Sequence, residues 1–386
     1  MTEEFAFSDD FYHLKAMLRD FGDEVSPEEV VRKAMMAAEY DRRTWQRLGS
    51  ELGVLSLTVP TDRGGDGAGL VFGAAVAEEL GAALLCGPAL GTLYLAIPAL
   101  SELTDAAATG RYLPALLTGD KVAALVLESQ HGTFSADDIT ISAEFGDSGW
   151  VLHGAVAQVV DAAAADLLLA VAKTPTGAAL FAVEGNAHGL QRSALSTLDL
   201  TRKQARVEFS GCPAELLADE TETPQLCSRV LRSASVLLAA EQVGGAQRML
   251  DATVAHVSSR LQFGQPVGAF QAVKHRCANM LVALEQARSA VYHAAWALED
   301  GTDDAQLAAS LARAVASESY LWISTSAIQL HGGLGFTWEG LPHLYFKRAT
   351  TDALLLGTVQ DHIELVAAAA LDTTAESVGA ATNFAS

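Results

Sequence analysis

Apolar positions return at helical spacing through the first third of the chain. Phe11, Leu14, Leu18 and Phe21 lie three or four residues apart, which predicts an amphipathic helix. Glu51-Leu52-Gly53 closes another, with glycine as the stop. The stretch from Leu80 to Leu100 carries no charge and is long enough to span a bilayer. Gly81, Gly87, Pro88, Gly91 and Pro98 interrupt it, and Glu78, Glu79 and Glu102 flank it. It therefore predicts two buried helical pieces joined at Cys86-Gly87-Pro88, not a membrane span. The glycine-rich run from Thr58 to Leu70 follows no strand and has no Lys-Ser/Thr pair. It is neither a P-loop nor a Rossmann fingerprint, and reads as a tight interhelical loop.

From about residue 120 the period changes. Val122–Leu127, Ile139–Phe145, Trp150–Val160, Asp166–Ala172, Ala179–Val183 and Ala205–Phe209 have strand character, and Gly, Asp, Thr and Pro separate them. No helix-length segment intervenes, so the spacing predicts a β-barrel or sandwich and not a doubly wound α/β domain. From about residue 224 long helices are predicted over Leu226–His256, Ala272–Leu298, Ala305–Gln329 and Tyr345–Ala370, with breaks at FGQPVGAF, EDGTDD and HGGLGFTWEGLP. Four such helices make a four-helix bundle. The expected fold class is a multidomain α+β chain: a helical domain over 1–119, a β domain over 120–218, and a bundle over 219–386 whose tail after Asp372 frays.

Composition narrows the function. The chain has 386 residues, half of them hydrophobic, and a formal charge of −22. That is ample for a large core, and such a negative surface argues against nucleic acid and anionic lipid as partners. The four cysteines, Cys86, Cys212, Cys227 and Cys277, are dispersed. That excludes a disulfide framework and fits a reducing cytosol. The ten histidines form no ligand-spaced cluster, so no metal site is expected. The opening MTEEFAFSDD has no apolar core of a signal peptide, which predicts a cytoplasmic chain.

Several short motifs then point one way. Arg260-Leu261-Gln262-Phe263-Gly264 is followed by Phe270-Gln271, and Gln329-Leu330-His331-Gly332-Gly333 lies downstream. These resemble the Arg-x-x-Phe-Gly and Gln-x-x-Gly-Gly motifs of the acyl-CoA dehydrogenase family. Val59-Pro60 with Arg63-Gly64-Gly65, and Trp150 with Gly154, are weaker matches. The resemblance covers essentially the whole chain. Gly335-Phe336-Thr337-Trp338-Glu339 and His343-Leu344-Tyr345 are similar to an actinobacterial subgroup, many of whose members work as heteromeric pairs, some on steroid side chains. The resemblance implies FAD as cofactor. It also implies that Arg260, Phe263, Gln271, Gln329, Gly332 and Gly333 reach across an interface to the ADP half of a neighbour's FAD. An arginine offers directional donors to a pyrophosphate, and glycines let backbone approach a ligand closely. Taken singly, Arg260 and Gln329 also read as helix-end residues, and the double glycine as a plain C-cap. His331 is expected to pack near the adenosine, and His343 to cap or to line an interface.

The chain departs from the family where the chemistry lies. Proton removal from Cα of an acyl thioester needs a desolvated carboxylate. The family places that Glu before Gly-Thr, but here Leu356 precedes Gly357-Thr358. Some members carry it on the helix before the Arg-x-x-Phe-Gly loop, where this chain has Ala234. Glu241 lies two turns further on, and Asp352 and Glu339 are nearer Leu356. The family's Thr-Glu-Pro and Gly-Ser-Asp segments align with Leu127-Glu128-Ser129-Gln130-His131-Gly132-Thr133. Its flavin-contacting Ser/Thr strand aligns with Val159-Val160-Asp161-Ala162-Ala163. What is lost serves a subunit's own site, and what is kept serves its neighbour's.

The favoured expectation is a base-less subunit of an FAD-dependent acyl-CoA dehydrogenase, assembled α2β2 with a catalytic homologous subunit. That partner would bind most of the acyl-CoA, and electrons would pass to an electron-transfer flavoprotein. The alternatives are a self-sufficient dehydrogenase with a relocated base such as Glu241, and a flavin-dependent monooxygenase of the same fold.

Overall fold

The computed structural model describes residues 7–128, 131–147 and 149–382. Ser8 caps the first helix, α1 (Asp9–Val25), by accepting from the Phe11 amide at 3.3 Å, and Phe11, Leu18 and Phe21 are buried along it. Next come α2 (Glu28–Met36), α3 (Arg42–Gln46) and a π-helical turn over Arg47–Glu51, after which Gly53 turns at φ 65°. The glycine-rich loop contains only a short 3-10 turn, Thr61–Arg63, and leads into α4 (Leu70–Ala82). The uncharged stretch breaks after α4 as its glycines and prolines require. A wide-turned segment over Ala89–Ala96 continues into α5 (Ile97–Ser101), and α6 (Ala106–Leu117) closes this part. Among the described residues, no helix is long and apolar enough to cross a membrane.

The strands are β1 (Ala123–Val126), β2 (Ser142–Gly146), β3 (Gly149–Val160), β4 (Leu167–Lys173), β5 (Ala178–Glu184), β6 (Leu190–Ala194) and β7 (Gln204–Ala218). Their order is β1-β4-β2-β3-β7-β5, and β5 also pairs with β4. The sheet thus closes on itself as a barrel. Alternating residues such as Leu152, Val156, Leu168, Phe181, Val207 and Phe209 fill its interior. Strand β6, which the sequence reading missed, pairs with β7 through the short polar segment Leu190–Ala194.

The helices of the last part are α7 (Thr223–Ser259), α8 (Gln271–Asp300), α9 (Ala305–His331), α10 (Gly333–Phe336), α11 (Pro342–Asp352) and α12 (Val359–Thr382). A two-residue hairpin of β8 (Leu261–Gln262) and β9 (Gln265–Pro266) separates α7 from α8. Helices α7, α8, α9 and α12 form the bundle, and α11 packs on α7 and α9. One expectation is corrected here. Tyr345–Ala370 is not a single helix, because Leu356 and Gly357 take left-handed φ values of 55° and 90°. Thr358 then restarts the helix: its hydroxyl accepts from the Asp361 amide at 3.2 Å, and the Asp361 carboxylate accepts from the Thr358 amide at 2.8 Å. This is a reciprocal cap. The final helix also runs past Ala370 to Thr382.

Helix α4 crosses α7 at bare backbone. A Cβ on Gly81 would stand 2.0 Å from the Glu241 carbonyl oxygen, and one on Gly244 would stand 1.7 Å from that of Glu78. Only glycine permits this approach, and it fixes Glu241 at the meeting of the helical, β and bundle parts.

Candidate functional site

The turn that carries Leu356 is held from three sides. His362 donates from Nε2 to the Leu356 carbonyl at 2.9 Å. Arg313 donates to the Leu355 carbonyl at 2.7 Å and also to that of Asp352. Gly132, from the loop after β1, lies so close that a Cβ there would be 2.4 Å from the Leu356 oxygen. His131 beside it donates from Nδ1 to Asp361 at 2.8 Å. That contact, and chiefly the Thr358 hydroxyl, hold Asp361 down to about 2, while Asp361 raises His131. Burial and then Arg313 depress His362 to about 4, so its ring is neutral at pH 7. Ser129 and Gln130 of the same loop lie outside the described residues. The space left between this loop, α7 and α9 is a cavity of about 220 Å³, bordered by Phe134, Ser228, Arg232, Ser235 and His362. Pockets that enclose a drug-sized ligand run to about 300 Å³ or more.

Behind the turn lies a buried ion network that the sequence did not reveal. Arg202, on the loop into β7, donates to Glu241 at 2.5 Å and to Asp352 at 3.1 Å. Arg348 on α11 donates to the same Glu241 oxygen at 2.6 Å and to Asp199 at 3.0 Å. Arg313 on α9 donates to Gln242 at 2.9 Å. Three guanidinium groups face the three carboxylates Asp199, Glu241 and Asp352, all buried. Burial outweighs the pull of Arg202 at Asp352 and pushes it up to about 6, and burial lowers Arg313 to about 10. Glu241 therefore faces neither solvent nor an open pocket. It bridges two arginines through one carboxylate oxygen. Among the described residues, the Asp352 carboxylate accepts from Arg202 alone. Glu339 is exposed, and its own amide and Thr337 hold its carboxyl below the usual range. Ala234 is buried and apolar.

The third element is the end of β3. Asp161 sits there at φ 63°, fully buried. It accepts from the Tyr40 hydroxyl and from the Gly91 amide, the latter at 2.8 Å. Burial pushes its carboxyl up to about 6 despite these donors. Ala162 beside it is also fully buried. The position where the family would offer hydroxyls to a flavin ring is thus filled by a side chain already bonded to its own chain. The side chains of Asp161 and Ala162 offer an isoalloxazine ring no hydroxyl donor.

The retained motifs behave differently. Arg260, Phe263, Gln271, Gln329, Gly332 and Gly333 are all exposed. The side chains of Arg260, Gln271 and Gln329 make no hydrogen bond within the described residues. Arg260 thus leaves the α7 carbonyls uncapped by its guanidinium. Phe263 is 90% exposed in a left-handed conformation, with its ring 6.2 Å from that of Phe270. Gly332 turns at φ 62°, but Gly333 has an ordinary φ, and a Cβ on either would meet nothing within 4 Å. Nothing among the described residues requires Gly333 to lack a side chain. The two motifs are brought together where α7 and α9 end, by stacking of His256 on His331 with ring centroids 4.3 Å apart. Donors, a bare aromatic and two uncovered glycines are thus left exposed near the ends of α7 and α9. His343 is buried and donates from Nε2 to the Trp338 carbonyl at 3.1 Å, tying the 337–341 loop to α11.

Comparisons with known proteins identify the fold and the family. Residues 8–120 match the model of the acyl-CoA dehydrogenase N-terminal domain, and residues 226–371 match that of the C-terminal domain. Acyl-CoA dehydrogenase IpdE2 of Mycobacterium tuberculosis is 34% identical over 84% of this chain and 86% of its own length. Among solved structures, a "Tcur3481-Tcur3483 steroid ACAD" superposes with a TM-score of 0.83 at 27% identity, covering 95% of this chain and 99% of that one. The ChsE4-ChsE5 complex from Mycobacterium tuberculosis gives 0.84 at 25% identity, covering 94% and 97%.

Proposed function

We propose that this chain, which belongs to the acyl-CoA dehydrogenase family, is the base-less subunit of a heteromeric, FAD-dependent acyl-CoA dehydrogenase. The observation that carries this reading is the contrast between its two half-sites. Leu356 cannot accept a proton, and the buried carboxylates behind it are bound to arginines. The ADP-half surface, in contrast, is exposed and unpartnered. In the complex, Arg260 would face the pyrophosphate, while Gln271, Gln329 and Phe263 would meet the adenosine. Gly332 and Gly333 would let the nucleotide approach the backbone. When bound, the FAD supplies the ring that accepts a hydride from Cβ of an acyl-CoA. The Cα proton goes to a carboxylate of the catalytic partner, since this chain offers none at the family position. The catalytic chain would bind most of the substrate.

The assembly we favour is α2β2 in the cytoplasm, with an electron-transfer flavoprotein as acceptor. The likeness to a solved protein described as a steroid ACAD supports a bulky, steroid-derived acyl group. A self-sufficient enzyme using Glu241 would have to free that carboxylate from both Arg202 and Arg348. Flavin absorbance per polypeptide tests the reading. The chain purified alone should hold little flavin and show no bleaching with acyl-CoAs, steroid-derived ones included. Co-expression with a homologue that carries the Glu should yield a flavin-loaded complex that such substrates bleach. One flavin per chain, with bleaching, in the lone protein would overturn the proposal.

A further inference from the structure

The two stacked imidazoles between the motifs sit in an unusual electrostatic setting. His256 lies in the last turn of α7 and His331 ends α9. Their rings are 21° from parallel and half-buried. His331 donates from Nδ1 to the Ala327 carbonyl at 2.7 Å, so its Nε2 is the nitrogen left to take a proton. The charged groups that neighbouring elements bring to this corner are cationic. Arg260 follows α7 and acts on His256. From α8, Lys274 lines the groove beside Val257 and Ser258, and Arg276 donates to Ser326 on α9 at 3.2 Å. The β8–β9 hairpin and α10 contribute no charge. Among the described residues, no carboxylate acts on either ring. Two helix C-termini favour a proton here, while burial, and for His256 also His331 and Arg260, hold both rings below the ordinary histidine value. Among the described residues the pair has no counter-anion.

We propose that the His256–His331 stack is a proton-linked part of the ADP-half surface, so that this chain grips a nucleoside diphosphate ester more tightly as the pH falls from about 8 to 6. The inference rests on the surface assignment made above. A diphosphate placed near Arg260 favours the protonated form of the stack, and by reciprocity a proton on the stack strengthens the diphosphate. One proton is shared by the pair, because two stacked imidazolium ions repel each other.

The test uses ADP-ribose, whose diphosphate diester does not titrate in this range. It is titrated calorimetrically into the full-length chain between about pH 6 and 8 at fixed ionic strength. The Kd should fall about three- to tenfold toward the acid end, within the limit of about tenfold per pH unit for one linked proton. Runs in buffers of different ionisation heat should show proton uptake. A His256→Phe/His331→Phe double variant keeps a ring stack but has no proton to gain. Its affinity, whatever its level, should show a flat profile over this range. Should that variant fail to fold, His331→Asn alone is read against the wild-type slope, and an unchanged slope overturns the proposal. A flat wild-type profile, or a double variant that keeps the slope, also overturns it while leaving the surface assignment standing. Absence of ADP-ribose binding at every pH removes the assignment and the proposal together.

Discussion

The carbonyl of Leu356 accepts a hydrogen bond from Nε2 of His362 at 2.9 Å, so the turn where the family carries its base is held by its own chain. Leu356→Glu would place a carboxylate on this turn, but Asp161 and Tyr40 would still fill the ring position. We expect the variant, purified alone, to hold no more flavin than the wild type and to show no acyl-CoA bleaching. A gain of bleaching would mean that the chain's own pocket is competent.

Glu241→Gln separates a structural from a chemical role. It leaves Arg202 and Arg348 without a shared counter-charge in the protein interior. Breaking a buried pair costs about 3 kcal/mol or more, and urea denaturation should report a loss of that order. Turnover of the assembled complex should remain at the wild-type level. Loss of turnover with stability intact would revive Glu241 as a base.

Asp161 and Asp352 make stability fall as pH rises. Each has a folded value near 6, above an ordinary 3.8. Their contribution is fully present below about pH 4 and is lost as pH rises through 6. A shift of this size is worth about 3 kcal/mol per group. Asp161→Asn removes one of the two groups, so the decline in urea midpoint between about pH 4 and 6 should be visibly shallower than in the wild type. An unchanged decline would assign it to other groups.

Two glycines should respond in opposite ways to the same change. Gly132→Ala puts a Cβ 2.4 Å from the Leu356 oxygen at a φ of 73°, and should cost about 2 kcal/mol or more. Gly333→Ala meets open space and should leave the melting temperature unchanged, yet the assembled complex should lose FAD. Retained FAD in that variant would count against the proposed surface.

The order helical, β, helical was legible because burial imprints a period on each kind of element. Phe11, Leu18 and Phe21 needed only their spacing, and the strands from Trp150 and Asp166 needed only their strand-forming composition and the turn residues between them. The break at 356–357 was not legible. Leucine gives no sign of a left-handed backbone, and Gly357 followed by a Thr-x-x-Asp cap was the one available signal. The ion network stayed hidden for a different reason. Arg202, Arg313 and Arg348 look like solvated charges in one dimension, and only the fold sets them against Glu241 and Asp352. The proposed FAD surface shows the reverse. Its residues could be named from motifs, but that their side chains lack partners within the chain is a property of the folded surface.

The network also bears on how the chain can be taken apart. Its arginines come from the loop into β7, from the bundle and from the helix before the Leu356 turn, and its carboxylates from that same loop, from α7 and from α11. A cut between the β and bundle parts would take Arg202 from Glu241 and Asp352, and Arg348 from Asp199. Fragments made there would expose ions stripped of those partners, and the β and bundle parts should therefore melt as one cooperative unit.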